Sequence, residues 1–191
     1  LILSKLLILL SLLTLIVYTF EINLSSANTF ISIDTYNSGQ VKKCAELGVH
    51  LINDISGGSW DDHMYTEVAK QKMGYIMMHI QGNPGNMQDA PKYHSIIDDI
   101  ITYFKERINT LHQLNFKNII VDPGFGFGKT LEDNYQLLAQ MKKIEGLNCP
   151  VLAGLSRKSM IFKALNINAD EALNGTSVLN TFALQNGANI L

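Results

Sequence analysis

The sequence has little cysteine, little charge and almost no imbalance of sign. Two cysteines in 191 residues, Cys44 and Cys149, form no CxxC pair and no Cys/His cluster. That excludes a disulfide framework and a thiolate zinc site, and it suits a reducing cytoplasm. Charged residues are 17% of the chain, and 15 Lys+Arg stand against 17 Asp+Glu for a net charge of −2. With no long run of one sign, the electrostatic footprint of a nucleic-acid binder is missing. What is plentiful is apolar: hydrophobic residues make up 47% and aromatics 8%. A chain this apolar buries enough surface to offset its ordering entropy, and its length fits one core rather than two.

The two ends are unusual. The chain starts at Leu1 rather than Met and stops on Asn189-Ile190-Leu191, an apolar ending that reads as a strand being entered. Truncation at both ends is the expectation. Leu1–Phe20 carries one charge, Lys5, and is followed by Ser25-Ser26-Ala27, so it has the form of a signal peptide and the length of a bilayer span. Against that, Ser4, Ser11, Thr14, Tyr18 and Glu21 fall in one narrow stripe at helical spacing, which favours an apolar helix over residues 1–27 packed on a sheet. No membrane association is expected.

From residue 28 onward, short apolar runs alternate with longer amphipathic stretches. The runs Phe30–Ile33, Val49–Ile52, Tyr75–His79, Ile119–Val121 and Val151–Ala153 read as buried parallel strands. Ser38–Leu47, Asp61–Lys72, Ser95–Leu114 and Leu131–Lys143 read as helices, the last capped by Thr130 with Asp133. This order, without hairpin signals, implies α/β architecture with a parallel sheet, either doubly wound or closed into a barrel.

The segments after the strands decide between these. They are Asp34-Thr35-Tyr36, Asn53 to Gly58, His79 to Gly82, Asp122 to Lys129 and Gly154 to Ser159. Five consecutive strand ends carrying polar or glycine-rich groups favour a (β/α)8 barrel with its site on the carboxyl-terminal rim. Asp34, Asp122, Asn53 and Lys158 then suit a flat heterocycle with N–H donors on one edge and a carbonyl on the other. A phosphate-cradling reading of Gly124 to Lys129 fails on spacing, since Pro123 stands where a first glycine is required. Ser159 opens a helix whose N-terminus favours an anion such as a carboxylate.

Plainer readings exist for each residue taken singly. Asp34 or Asp122 alone is a turn former or helix cap, Asn53-Asp54 an Asx-turn, and Lys158 a solvated charge. His79 and His63 read as structural or exposed, and Met73, Met77 and Met78 as core fillers.

At these loops the sequence resembles the dihydropteroate synthase family of pterin-binding enzymes. The motifs are Ile31 to Tyr36, Ile52 to Gly58, Met78 to Gly82, Asp122 to Thr130 and Gly154 to Ser159, in the family's order. The resemblance implies a pterin-binding (β/α)8 TIM barrel over 28–191, incomplete in this chain. It implies condensation of dihydropterin-CH2 diphosphate with p-aminobenzoate to 7,8-dihydropteroate and pyrophosphate, a step of folate biosynthesis, with Mg2+ on the diphosphate. By motif position, Asp122 and Asn53 would hold the pterin, Lys158 its carbonyl side, and Asp34 the positive charge that develops. Met78 and Phe127 would line the pocket, and Ser159 would receive the p-aminobenzoate carboxylate. The family's two opening strand–helix units, with a metal-binding asparagine and a diphosphate-binding threonine, and its closing Arg-Val-His strand have no counterpart in this sequence. The metal ligand therefore lies outside the chain, and the 191 residues alone are expected to be inactive. The resemblance further implies a cytoplasmic homodimer. A non-catalytic pterin binder and a pterin-dependent methyltransferase are the competing readings, and the Ser156-Arg157-Lys158-Ser159 motif argues against the latter.

Overall fold

The computed structural model describes residues 30–191; the helix expected over residues 1–27 lies outside the described residues. Four strands, β1 (Ser32–Asp34), β2 (Leu51–Asp54), β3 (Gly74–Met78) and β4 (Ile119–Asp122), form one sheet in chain order, every pair parallel. Two single-bridge contacts extend it: Val151 pairs with Val121, and Ile190 pairs with Leu152, both parallel. Six neighbouring strand positions thus follow one another without a change of order, as barrel staves do and as a doubly wound sheet does not.

Helices α1 (Ser38–Glu46), α2 (Met64–Gln71), α3 (Ile96–Gln113) and α4 (Leu131–Gln140) fill the intervals, followed by α5 (Ser159–Leu165) and α6 (Leu173–Gln185). The α3 face of Ile97, Ile100, Phe104, Ile108 and Leu111 recurs at helical spacing and is buried throughout. It packs on alternate strand residues, Ile52, Tyr75, Met77, Ile119 and Val121, which belong to the same core. The intervening residues Ile76 and Met78 are also buried but stand outside that core, on the sheet's other face. In register with them lie Asn53, opposite Ile76, and Asp122, opposite Met78. The pleat therefore separates a helix-side core from an inward face that carries the polar rim residues.

Several boundaries differ from the sequence reading for local reasons. The first strand starts at Ser32, with Phe30 81% exposed. The second helix begins at Met64 rather than Asp61, because the Asp61 carboxylate is engaged elsewhere: it accepts from the Ser38 N–H at 2.7 Å and the His63 N–H at 3.0 Å. Those bonds, the Ser38 one foremost, hold its carboxyl below the usual range. The fourth helix ends at Gln140 and tightens into a 3₁₀ segment, Met141–Leu147. The expected reciprocal cap is present: Thr130 Oγ1 accepts from the Asp133 N–H at 3.1 Å, and Asp133 accepts from the Thr130 N–H at 2.9 Å. Helix α6 has no counterpart among the sequence assignments. Its Asn, Gly, Thr and Ser residues are poor helix formers, and Thr176 and Thr181 return their hydroxyls to the carbonyls four residues back.

Candidate active site

The residues singled out from sequence lie at the carboxyl ends of successive strands, in two groups with β3 between them. At the β1–β2 end, Asn53 Nδ2 donates to Asp34 Oδ1 at 2.9 Å. Asp34 is exposed and Asn53 half-buried, so this pair faces the open side of the rim. Behind it the Asx-turn reading holds for Asp54, with more than a turn attached. Its fully buried carboxylate accepts from the Ser56 N–H and hydroxyl, the Gly58 N–H and the Tyr75 hydroxyl, all at 2.7–2.8 Å. Burial and then the Asp54 charge push the Tyr75 phenol well up, which keeps it a donor. From α3, the Tyr103 hydroxyl reaches the Met78 carbonyl at 3.1 Å and the Ser56 carbonyl at 3.3 Å, tying the β2 loop to the end of β3. Together these side chains, of which Ser56, Tyr75 and Tyr103 carry no role in the sequence reading, fix the loop that presents Asn53.

The second group surrounds Asp122 at the end of β4. Its Oδ1 accepts from the Gly124 N–H at 2.8 Å, and among the described residues nothing donates to its second oxygen. Burial raises its carboxyl to about 6, against the lowering pull of the Gly124 bond and of the Lys158 and Lys129 charges. Lys158 is itself lowered by burial, partly countered by Asp122. No ion pair joins the two among the described residues; the Lys158 ammonium lies instead over the Phe127 ring, 4.3 Å from its centre. Met78 is buried beside Gly124, whose position requires glycine: φ is +71°, and a Cβ there would run into the His79 carbonyl oxygen. Ser159 opens α5 as expected, directly after Lys158. It also lines a cavity of ≈ 190 Å³ with Lys129, Asn134, Gln88 and Lys163. A larger hollow of ≈ 640 Å³ lies at the opposite end of the strands, bordered by Phe30, Leu51, Gly74 and Ile119, away from every one of these residues.

The glycine-rich loop between Asp122 and α4 is held by groups the sequence does not advertise. Asn134 Oδ1 accepts from the Gly126 N–H at 2.7 Å, Gln88 donates to the Gly126 carbonyl at 2.9 Å, and Tyr93 donates to the Gly128 carbonyl at 2.6 Å. Lys129 turns inward and is buried, its ammonium brought down to about 7 chiefly by that burial. His79, read as structural or exposed, is buried, and desolvation followed by the Lys129 charge holds its imidazole well below the ordinary range. Met73 and Met77 fill the core as expected. His63 is exposed and makes no side-chain cap to α2.

The rim thus presents hydrogen-bonding groups in Asp34, Asn53 and Asp122 and, in the Asp122 group, a cation on an aromatic ring. That is a recognition surface for a planar, hydrogen-bonding heterocycle. Comparison with known proteins points the same way. A profile of the family described as pterin binding enzyme matches residues 17–191. The dihydropteroate synthase of Escherichia coli K12 is 38% identical over 164 residues, covering 85% of this chain and 58% of the relative. That of Haemophilus influenzae is 37% identical over 164 residues, covering 85% and 59%. Among solved structures, the Yersinia pestis dihydropteroate synthase with a sulfonamide drug complex superposes with a TM-score of 0.83 at 34% identity, covering 87% of this chain and 61% of that one. The Xanthomonas albilineans enzyme in complex with 7,8-dihydropteroate gives 0.80 at 28% identity, covering 88% and 62%. The chain spans just under three fifths of the length of these two curated relatives, 58% of the E. coli enzyme and 59% of the H. influenzae one. With the profile matched along most of its length and the same barrel arc beneath its rim motifs, the chain belongs to the pterin-binding enzyme family.

Proposed function

We propose that the protein containing this chain is a dihydropteroate synthase, condensing dihydropterin-CH2 diphosphate with p-aminobenzoate to 7,8-dihydropteroate and pyrophosphate. The observation that carries this reading is Asp122: a buried carboxylate at a strand end, with one oxygen clasped by Gly124 and the other without a donor among the described residues. A buried charge of this kind is offset when a ligand supplies paired N–H groups, as the amino-pyrimidine edge of a pterin does. Asn53 donates to and accepts from the same ring. Lys158, poised on Phe127, meets the ring carbonyl. As the bond from the exocyclic CH2 to the diphosphate oxygen breaks, the pterin carbon becomes positive, and Asp34 stabilises that charge. The aniline nitrogen of p-aminobenzoate then forms the C–N bond and releases its proton to solvent, while pyrophosphate departs. No protein nucleophile takes part. Ser159, beside the first backbone N–H groups of α5, receives the p-aminobenzoate carboxylate.

Mg2+ belongs with the diphosphate in this reading. Among the described residues no three carboxylate, imidazole or thiolate side chains stand together to hold a metal, and Mg2+ commonly binds through one or two protein groups together with substrate phosphates. We also place the protein in the cytoplasm as a homodimer. The two free, half-buried cysteines suit the first, and the exposed apolar residues Leu173, Val178 and Phe182 of α6 suit the second. Among the described residues no helix is long and apolar enough to cross a membrane.

The test is dihydropteroate formation by the full-length protein, with Asp122→Ala and Lys158→Ala each weakening pterin binding. Unchanged binding in both variants would overturn the site. Pterin binding without product would make the protein a non-catalytic binder, and methyl transfer to a corrinoid partner would make it a methyltransferase.

A further inference from the structure

Lys129 has no part in the chemistry above, yet it is the one lysine among the described residues that is buried, at 3% exposure. A lysine that merely covers apolar surface sends its ammonium outward to water; this one points in. Its Nζ donates to the carbonyls of Gly124 at 2.9 Å and Phe127 at 3.0 Å, meets His79 Nδ1 at 3.1 Å, and lies 3.4 Å from the His79 carbonyl. In its ammonium form Lys129 has three protons and no lone pair, and the imidazole nitrogen then accepts.

The acceptors are significant for what adjoins them. Gly124 is the residue whose N–H holds Asp122, and Phe127 is the residue whose ring underlies Lys158. His79 belongs to a different segment, directly after Met78 at the end of β3. The two segments also meet backbone to backbone, since added β-carbons at Gly124 and Gly128 would strike His79 and Gln81. The loop itself is glycine at every second position from 124 to 128, so its own torsional preferences do little to define it.

We propose that Lys129 is a positioning residue for the pterin: it latches the Gly124–Gly128 loop to the β3 exit at His79 and thereby sets where Asp122, Phe127 and Lys158 stand. The inference rests on the pterin reading given above. It assigns Lys129 no contact with substrate. Ser159 stands on α5 and makes no side-chain hydrogen bond to Lys129 or to the Gly124–Gly128 loop among the described residues, although it lines one cavity with Lys129; the p-aminobenzoate site is therefore expected to move less than the pterin site when the latch is removed.

The experiment compares the full-length protein with Lys129→Met, which keeps the apolar stem and removes the donors, and with Asp122→Ala as a reference, by steady-state kinetics with each substrate varied. Lys129→Met is expected to raise KM for the pterin diphosphate about tenfold or more while KM for p-aminobenzoate stays within about twofold. A merely structural role would lower the folded fraction, and with it kcat, leaving both KM values alone. That result, or an equal rise in both, overturns the latch. If Lys129→Met does not fold, His79→Gln carries the test: a rise of about fivefold confined to the pterin KM supports the latch, and unchanged KM values overturn it. If the parent enzyme does not use the pterin, or Asp122→Ala leaves its KM unchanged, the functional reading fails and the latch with it. If Asp122→Ala raises it and Lys129→Met does not, the latch alone fails.

Discussion

Because burial lifts the Asp122 carboxyl to about 6, its ionisation costs the folded chain free energy at neutral pH. The folded group holds its proton more tightly than the unfolded one, so its contribution to stability is fullest below the ordinary carboxylate value near 3.8 and is lost as pH rises through about 6. Asp122→Asn removes that cost and keeps an acceptor for the Gly124 N–H. Denaturant unfolding at pH 7 is expected to show the variant more stable by as much as roughly 3 kcal/mol, an upper limit set by the size of the shift. Pterin affinity moves the other way, because the amide offers one acceptor oxygen and an NH2 group in place of two acceptor oxygens for paired N–H donors. Titration with a fluorescent pterin is expected to give binding that falls about tenfold per unit as pH drops below ~6, with Asp122→Asn binding weakly at every pH. Asp122 is legible in sequence because its strand and its glycines are contiguous with it. Lys129 and His79 are not, since they lie 50 positions apart and become partners only when both are buried.

Among the elements, those with a strong period or a local cap were readable. α3 buries Ile97, Ile100, Phe104, Ile108 and Leu111 at the spacing its sequence displays, and the Thr130–Asp133 cap starts α4 at Leu131 as expected. Thr130→Ala is expected to cost about 1 kcal/mol in denaturant unfolding. It also lies next to Lys129, so a rise in pterin KM accompanying the stability loss would locate the start of α4 and the latch in one unit. The elements that sequence missed or misplaced depend on distant partners. Asp61 is drawn off to cap α1, and the polar, glycine-containing α6 is held by packing so close that a β-carbon on Gly175 would meet Ile161. Gly175→Val is accordingly expected to separate α5 from α6 and lower the thermal midpoint, measured by circular dichroism.

At the scale of the molecule, the strand order was legible because each strand is followed by its helix and carries its motif at its carboxyl end. What lay beyond reach was which face of each strand meets which layer, as this depends on register. The homodimer proposal is tested here too: Val178 on α6 is 64% exposed, and Val178→Glu in the full-length protein is expected to shift sedimentation from dimer to monomer. The pleat has a wider consequence. In β3 and β4, Tyr75, Met77, Ile119 and Val121 serve the helix-side core, while Ile76, Met78 and Asp122 face the other way. Saturation mutagenesis of 119–122 scored once for abundance and once for catalysis should therefore give two interleaved ladders of tolerance, odd positions failing the first assay and even positions the second. Such a barrel can exchange its ligand preferences letter by letter while its folding instructions, written in the letters between, stay intact.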